Sequence, residues 1–123
     1  MELFVENLQK SIKFYKEILD LTFSNKNGNG AVIKQDNFAL LLTPDIILDE
    51  NHYFKKGGFN PKGKGVEIIL VSDNIEKLYK YILERNYPIE SGLKLQSWGM
   101  KDFRIIDPDG YYLRLTSKNL NEP

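Results

Sequence analysis

Any chemistry in this chain must be done without cysteine and with a single histidine, His52. That excludes disulfides, thiolate metal sites and cysteine nucleophiles. It also leaves imidazole relays with only one ring. His52 lies in a long connecting stretch, where a lone histidine is expected to be solvated. No GxSxG, HExxH or GxxxxGKS pattern occurs, so nucleophile-elbow hydrolysis, zincin chemistry and P-loop phosphate binding lack support. What remains are carboxylates, guanidiniums, tyrosine hydroxyls and one tryptophan, Trp98. In the closing stretch DGYYLRLT (109–116), strand alternation puts Tyr112, Arg114 and Thr116 on one face. A tyrosine there can stack through its ring while its hydroxyl donates a bond. In the preceding segment Phe103 and Ile105 share one face, and Arg104 and Ile106 the other. Alternation does not say which face meets a ligand.

The elements that must position these groups occur twice. DNFALLLT (36–43) matches DGYYLRLT, and ENLQKSIKFYKEI from Glu6 matches DNIEKLYKYILER from Asp73. The first copy predicts a strand over Glu2 to Val5, then a helix capped by Asn7 with Leu8, Ile12, Tyr15 and Leu19 on its apolar face. Strands follow at Leu21 to Ser24, Ala31 to Gln35 and Phe38 to Thr43. Asn27-Gly28-Asn29-Gly30 forms a hairpin turn, because Asn and Gly tolerate positive backbone angles. The second copy predicts a strand over Val66 to Val71 and a helix capped by Asn74, with Ile75, Leu78, Tyr79 and Ile82 inward. Its remaining strands are Leu93 to Gln96, Asp102 to Ile106 and Tyr111 to Thr116, with Asp107-Pro108-Asp109-Gly110 turning the last pair.

Each copy is therefore βαβββ, an α+β arrangement of module one (about 1–43), a connecting loop (44–64) and module two (about 65–118). The loop is expected to be partly ordered, with a helical turn near Asp45 to Asp49. Tyr53, Phe54 and Phe59 would form a flap or anchor the loop. Lys55, Lys56, Lys62 and Lys64 read as a solvated basic stretch.

A chain of 123 residues is one domain by length. Its 17 basic residues balance 17 acidic ones, giving no overall field for nucleic acid or anionic lipid. No apolar run approaches a membrane span and no leader pattern opens the chain, so the expected setting is cytoplasmic.

The tandem βαβββ order, with VENLQKSIKFYKEIL at the start and DPDGYYLRL at the end, resembles the vicinal-oxygen-chelate superfamily. That group includes glyoxalases, extradiol dioxygenases and bleomycin-resistance proteins. The resemblance implies cup-shaped half-barrels, commonly in homodimers. In enzymatic members it implies a divalent metal, held by a first-strand residue and a last-strand Glu in each module. By that correspondence the second module offers Glu67 on its first strand and Arg114 where the last-strand Glu belongs. The first module offers Leu41 at the last-strand place and nothing before Met1. One carboxylate beside a guanidinium is a poor cation site.

The bleomycin-resistance-like members are the nearer pattern, since SWGMKDFRIIDPDGYYLRL is similar to their Trp-Gly before the penultimate strand. The expected function is metal-independent, cofactor-free binding of a small organic ligand. Glu67 and Arg114 would give polar anchoring, and Trp98 and Tyr112 apolar contact. The alternative is a glyoxalase-type lyase, isomerase or dioxygenase using a metal or Glu67 as base.

Overall fold

The computed structural model describes residues 1–35, 38–55 and 62–118, with backbone alone at 24–27 and 35. The chain divides into two compact units, Met1–Lys62 and Gly63–Pro123.

In the first unit, β1 (Glu2–Val5) runs parallel to β4 (Phe38–Pro44), and β3 (Gly30–Gln35) and β2 (Phe23–Asn27) follow antiparallel, in sheet order β1-β4-β3-β2. Leu3, Val5, Ala31, Ile33, Leu40 and Leu42 point to the helix side and are buried with Leu8, Ile12, Tyr15 and Leu19. The period-2 pattern of the strands and the 3.6 period of the helix thus meet in one core. Helix α1 (Leu8–Lys13) is capped by the Asn7 side chain, which accepts from the Lys10 amide at 3.1 Å. It then widens into a π turn, Phe14–Ile18. That turn consumes the start of the expected second strand: the Leu21 amide bonds back to the Tyr15 carbonyl, so β2 begins at Phe23 rather than Leu21. Asn27 and Gly30 pair across the expected two-residue turn, although the positive backbone angles expected of it are not found at Gly28 or Asn29.

The second unit repeats the plan. β5 (Glu67–Ser72) is parallel to β8 (Tyr112–Ser117), followed by antiparallel β7 (Lys101–Ile106) and β6 (Ser91–Leu95), in order β5-β8-β7-β6. Helix α2 (Ile75–Glu84) is capped by Asn74, which accepts from the Lys77 amide at 3.1 Å. It covers one sheet face, where Phe103, Ile105 and Leu113 are fully buried and the Tyr79 ring meets Phe103 edge-on at 4.9 Å. Each such side chain contributes about 1.5–3 kcal/mol by leaving water. Both helices end on a left-handed residue, Asp20 and Asn86 at φ 56°. The second strand of this unit is Ser91–Leu95 rather than the expected Leu93 to Gln96. Gln96 instead closes the following turn, its amide donating to the Met100 carbonyl and its carbonyl accepting from the Gly99 amide.

The connecting segment carries 3-10 turns at Asp45–Ile47 and Tyr53–Lys55. Here the expectation of a solvated basic stretch fails for Lys62. Its ammonium is buried, 2.6 Å from Asp45 Oδ2, and donates to the Phe4 carbonyl at 2.9 Å. A cation so desolvated persists only when paired and hydrogen-bonded. Lys55 reaches Glu50 at 3.2 Å, while Lys56 falls outside the described residues. Phe54 packs edge-on against Phe4 at 5.1 Å, anchoring the segment to β1, whereas Tyr53 is exposed. Phe59 lies outside the described residues.

Candidate functional site

The face of the second sheet opposite α2 gathers the polar side chains. On β5 the odd positions Glu67, Ile69 and Val71 point this way, because the even Ile68 turns into the core. The parallel register sets Glu67 beside Tyr112 and Ile69 beside Arg114. Next to them on β7, Asp102, Arg104 and Ile106 stand opposite Thr116, Arg114 and Tyr112.

Glu67 and Arg114 form the pair that the sequence places on neighbouring strands. Arg114 Nε donates to Glu67 Oε1 at 2.8 Å and Nη2 to Oε2 at 3.0 Å, a two-point clamp. Arg104 is the partner that sequence reasoning missed. Its Nε donates to the same Glu67 Oε1 at 3.0 Å, and its Nη1 to Asp102 Oδ1 at 2.8 Å. Gln96 Nε2 donates to that Asp102 oxygen as well, at 2.8 Å. Asp102 is fully buried, and its Oδ2 finds no partner among the described residues. The signal for Arg104 was present in the alternation of KDFRII; only the choice of face was missing.

The electrostatics follow from this geometry. Hydrogen bonding from Arg114, opposed by desolvation and assisted by Arg104, holds the Glu67 carboxyl below its ordinary range. The same bond from Glu67 raises the Arg114 guanidinium. A carboxylate stabilised as an anion in this way is a weak proton acceptor.

Trp98 sits between β6 and β7, ahead of Gly99, which has φ 90°. Its ring is about half exposed and lies 5.6 Å from the Arg114 guanidinium carbon. It therefore neighbours the ion cluster. Tyr112 is half-buried; its hydroxyl donates to Glu90 Oε2 at 2.6 Å, and that bond pushes its own ionisation up. Exposed Ile69 and Ile106 complete an apolar margin around the charges.

The first unit does not repeat this cluster. Val32 stands opposite Leu41, where Arg104 stands opposite Arg114. Glu2 is the carboxylate that sequence reasoning overlooked there. It pairs in register with Leu41 and accepts from the Thr43 hydroxyl at 2.6 Å. His52 joins neither set, because its Nδ1 accepts from the Phe54 amide at 3.1 Å and its ring lies 5.0 Å from that of Phe54.

The donors available do not fit a divalent cation. Glu67 already accepts three hydrogen bonds from guanidiniums, and Arg114 is itself a cation. Among the described residues, no three His, Cys, Asp or Glu side chains converge. No described helix is long and apolar enough to cross a membrane.

The model of one protein family, the glyoxalase/bleomycin resistance protein/dioxygenase superfamily, matches residues 1–115. A bleomycin resistance protein from Klebsiella pneumoniae is 26% identical over 105 residues, covering 80% of this chain and 81% of that protein. Among solved structures, a lactoylglutathione lyase from Agrobacterium tumefaciens superposes with a TM-score of 0.75 at 18% identity, over 100% of this chain and 94% of the other. A protein of unknown function from A. tumefaciens strain C58 gives 0.81 at 18% identity, over 96% and 90%. At that identity the structures share the fold, and the fold alone.

Proposed function

Since the chain belongs to the glyoxalase/bleomycin resistance protein/dioxygenase superfamily, whose members support small-molecule binding as a class, we propose that it binds an organic small molecule without metal chemistry. The ligand would lie on the face of the second sheet opposite α2. Arg114 and Glu67 would fix its polar group, and Trp98 and Tyr112 its apolar body.

One observation carries this reading: the Glu67 carboxylate is clamped by two guanidiniums beside exposed Trp98, Ile69 and Ile106. An ion cluster of this kind is weak evidence for stability, because desolvation offsets much of the attraction. Exposed apolar groups beside a few fixed polar ones match the usual composition of ligand sites. The similarity to the Klebsiella bleomycin resistance protein supports small-molecule binding at the level of the family. Glu67, held ionised and shared, is poorly suited to act as a base. The homodimer implied by the resemblance belongs to the same proposal, with a cytoplasmic setting, and sedimentation should then show about twice the 14.3 kDa chain mass.

A thermal-shift screen with glycopeptide antibiotics, dicarbonyl adducts and divalent metals tests the main claim, because a ligand selective for the native state raises the melting temperature. Organic ligands should stabilise the protein equally with and without chelator, and Trp98→Ala and Arg114→Leu should weaken that effect. Stoichiometric metal in the purified protein, with binding abolished by chelation, would overturn it.

A further inference from the structure

The unused hydrogen-bonding capacity of the cluster is lopsided. A guanidinium carries five N–H bonds. Arg114 engages Glu67 through Nε and Nη2, while Arg104 engages Glu67 and Asp102 through Nε and Nη1. Among the described residues, Arg114 Nη1 and Arg104 Nη2 have no partner. The acceptors are nearly spent: Glu67 Oε1 and Asp102 Oδ1 each take two bonds, and Asp102 Oδ2 is buried out of reach. What the cluster can still offer a ligand is therefore mainly N–H, from two cations on adjacent strands.

Their arrangement is set by the fold. Arg104 and Arg114 are direct cross-strand partners, and both turn their Nε toward one Glu67 oxygen. Side-chain exposures of 14% and 21% leave the guanidiniums partly open to solvent, although their anchoring is desolvated. Asp102, itself held by Gln96, anchors Arg104 through Nη1, so its free amino group is oriented before any ligand arrives.

We infer that Arg104 is a ligand-contacting residue, and that with Arg114 it receives an oxyanion, a carboxylate or phosphate carried on an aromatic or other apolar body. This rests on the binding function proposed above and specifies its ligand class. Two oxygens of one anion can each accept from a different guanidinium, in charge-assisted bonds roughly twice as strong as neutral ones. The apolar body lies against Trp98, with Ile69 and Ile106 alongside. An ammonium group would have to compete for Glu90, which already accepts from Tyr112, and for the remaining lone pair of Glu67 Oε2, while a neutral amide gains only the weaker bonds.

Trp98, the sole tryptophan, makes the test local. Its indole N–H resonance is followed by NMR while benzoate, phenyl phosphate, benzamide or benzylamine is titrated into the full chain. Benzoate, phenyl phosphate or both should shift it saturably, at least about tenfold more tightly than the neutral and cationic probes. The better of the two anions tells carboxylate from phosphate. Arg104→Lys, which retains the charge on Asp102 but loses the fork, should weaken the anion at least about fivefold. Its circular dichroism and melting profile report whether the fold is intact. Should Arg104→Lys fail to fold, raising chloride from 50 to about 500 mM must weaken the anion in the native protein.

Equal binding of benzamide or benzylamine, anion affinity unchanged by the substitution or by salt, or no saturable shift from either anion would each overturn the assignment. If neutral or cationic organics alone bind beside Trp98, small-molecule binding stands and the oxyanion assignment falls.

Discussion

Arg104 and Arg114 face each other directly across β7 and β8, and Glu67 binds both through one oxygen, at 3.0 and 2.8 Å. Like charges placed directly opposite on a sheet repel. The carboxylate on β5 resolves that conflict, so three strands are tied at one point. The arrangement is specific to the second unit, because Val32 and Leu41 fill the matching pair of positions in the first.

Removing the charge at this point should release the repulsion. Glu67→Gln is expected to cost about 2 kcal/mol, between the values for exposed and fully buried pairs, since its side chain is 29% exposed. Urea unfolding measures this as a lowered midpoint with an unchanged slope. A variant as stable as the parent would show that the arginines are relieved elsewhere.

Glu67 also gives the fold an acid dependence. Its folded pKa lies below the reference of 4.5, chiefly through the bond from Arg114. The associated stabilisation is complete above the unfolded value and lost as pH falls through the lower folded value. Unfolding free energies between pH 6 and 3 should therefore fall less steeply in Glu67→Gln than in the parent.

Tyr87 makes the matching alkaline case. Burial, with help from the Asp107 charge, raises it from 10.0 to about 12, and its hydroxyl donates to the Ile106 carbonyl. A raised folded value stabilises below pH 10 and is lost as pH climbs through about 12. Absorbance titration should show a late-ionising tyrosine that disappears in Tyr87→Phe.

Gly63 has φ 71°, and a Cβ there would sit 2.8 Å from the Tyr111 Cα. Gly63→Ala should cost at least about 2 kcal/mol, combining left-handed strain with backbone overlap. Gly28→Ala is the control. A Cβ there meets nothing within 4 Å, and its melting temperature should stay within a few degrees of the parent.

Asn7 and Asn74 each accept one amide of the first helical turn, at 3.1 Å. Asn74→Ala should lose about 1 kcal/mol and Asn74→Gly only a few tenths, because the glycine lets water reach the amide. Thermal melts of both variants check the order.

The local rules of the chain determined much by themselves. Asn7 and Asn74 cap the helices because short amide side chains suit that role, and Leu8, Ile12, Ile75 and Ile82 are buried where helical spacing puts them. The repeat and its strands follow from alternation and from matching the two copies, while the Glu67–Arg114 pair came from the resemblance to the family's ligand positions. Alternation has period two, so it groups Arg104 with Ile106 without choosing a face or a cross-strand neighbour. Only the long-range register of β7 on β8 set Arg104 against Arg114 and brought Asp102 and Gln96 behind it. Lys62 tells the same story, since nothing near it in the chain signals burial. Its partners, Asp45 and the Phe4 carbonyl, come from 17 and 58 residues away. Charge pairing of that kind depends on which segments tertiary packing brings together, and no local pattern encodes it.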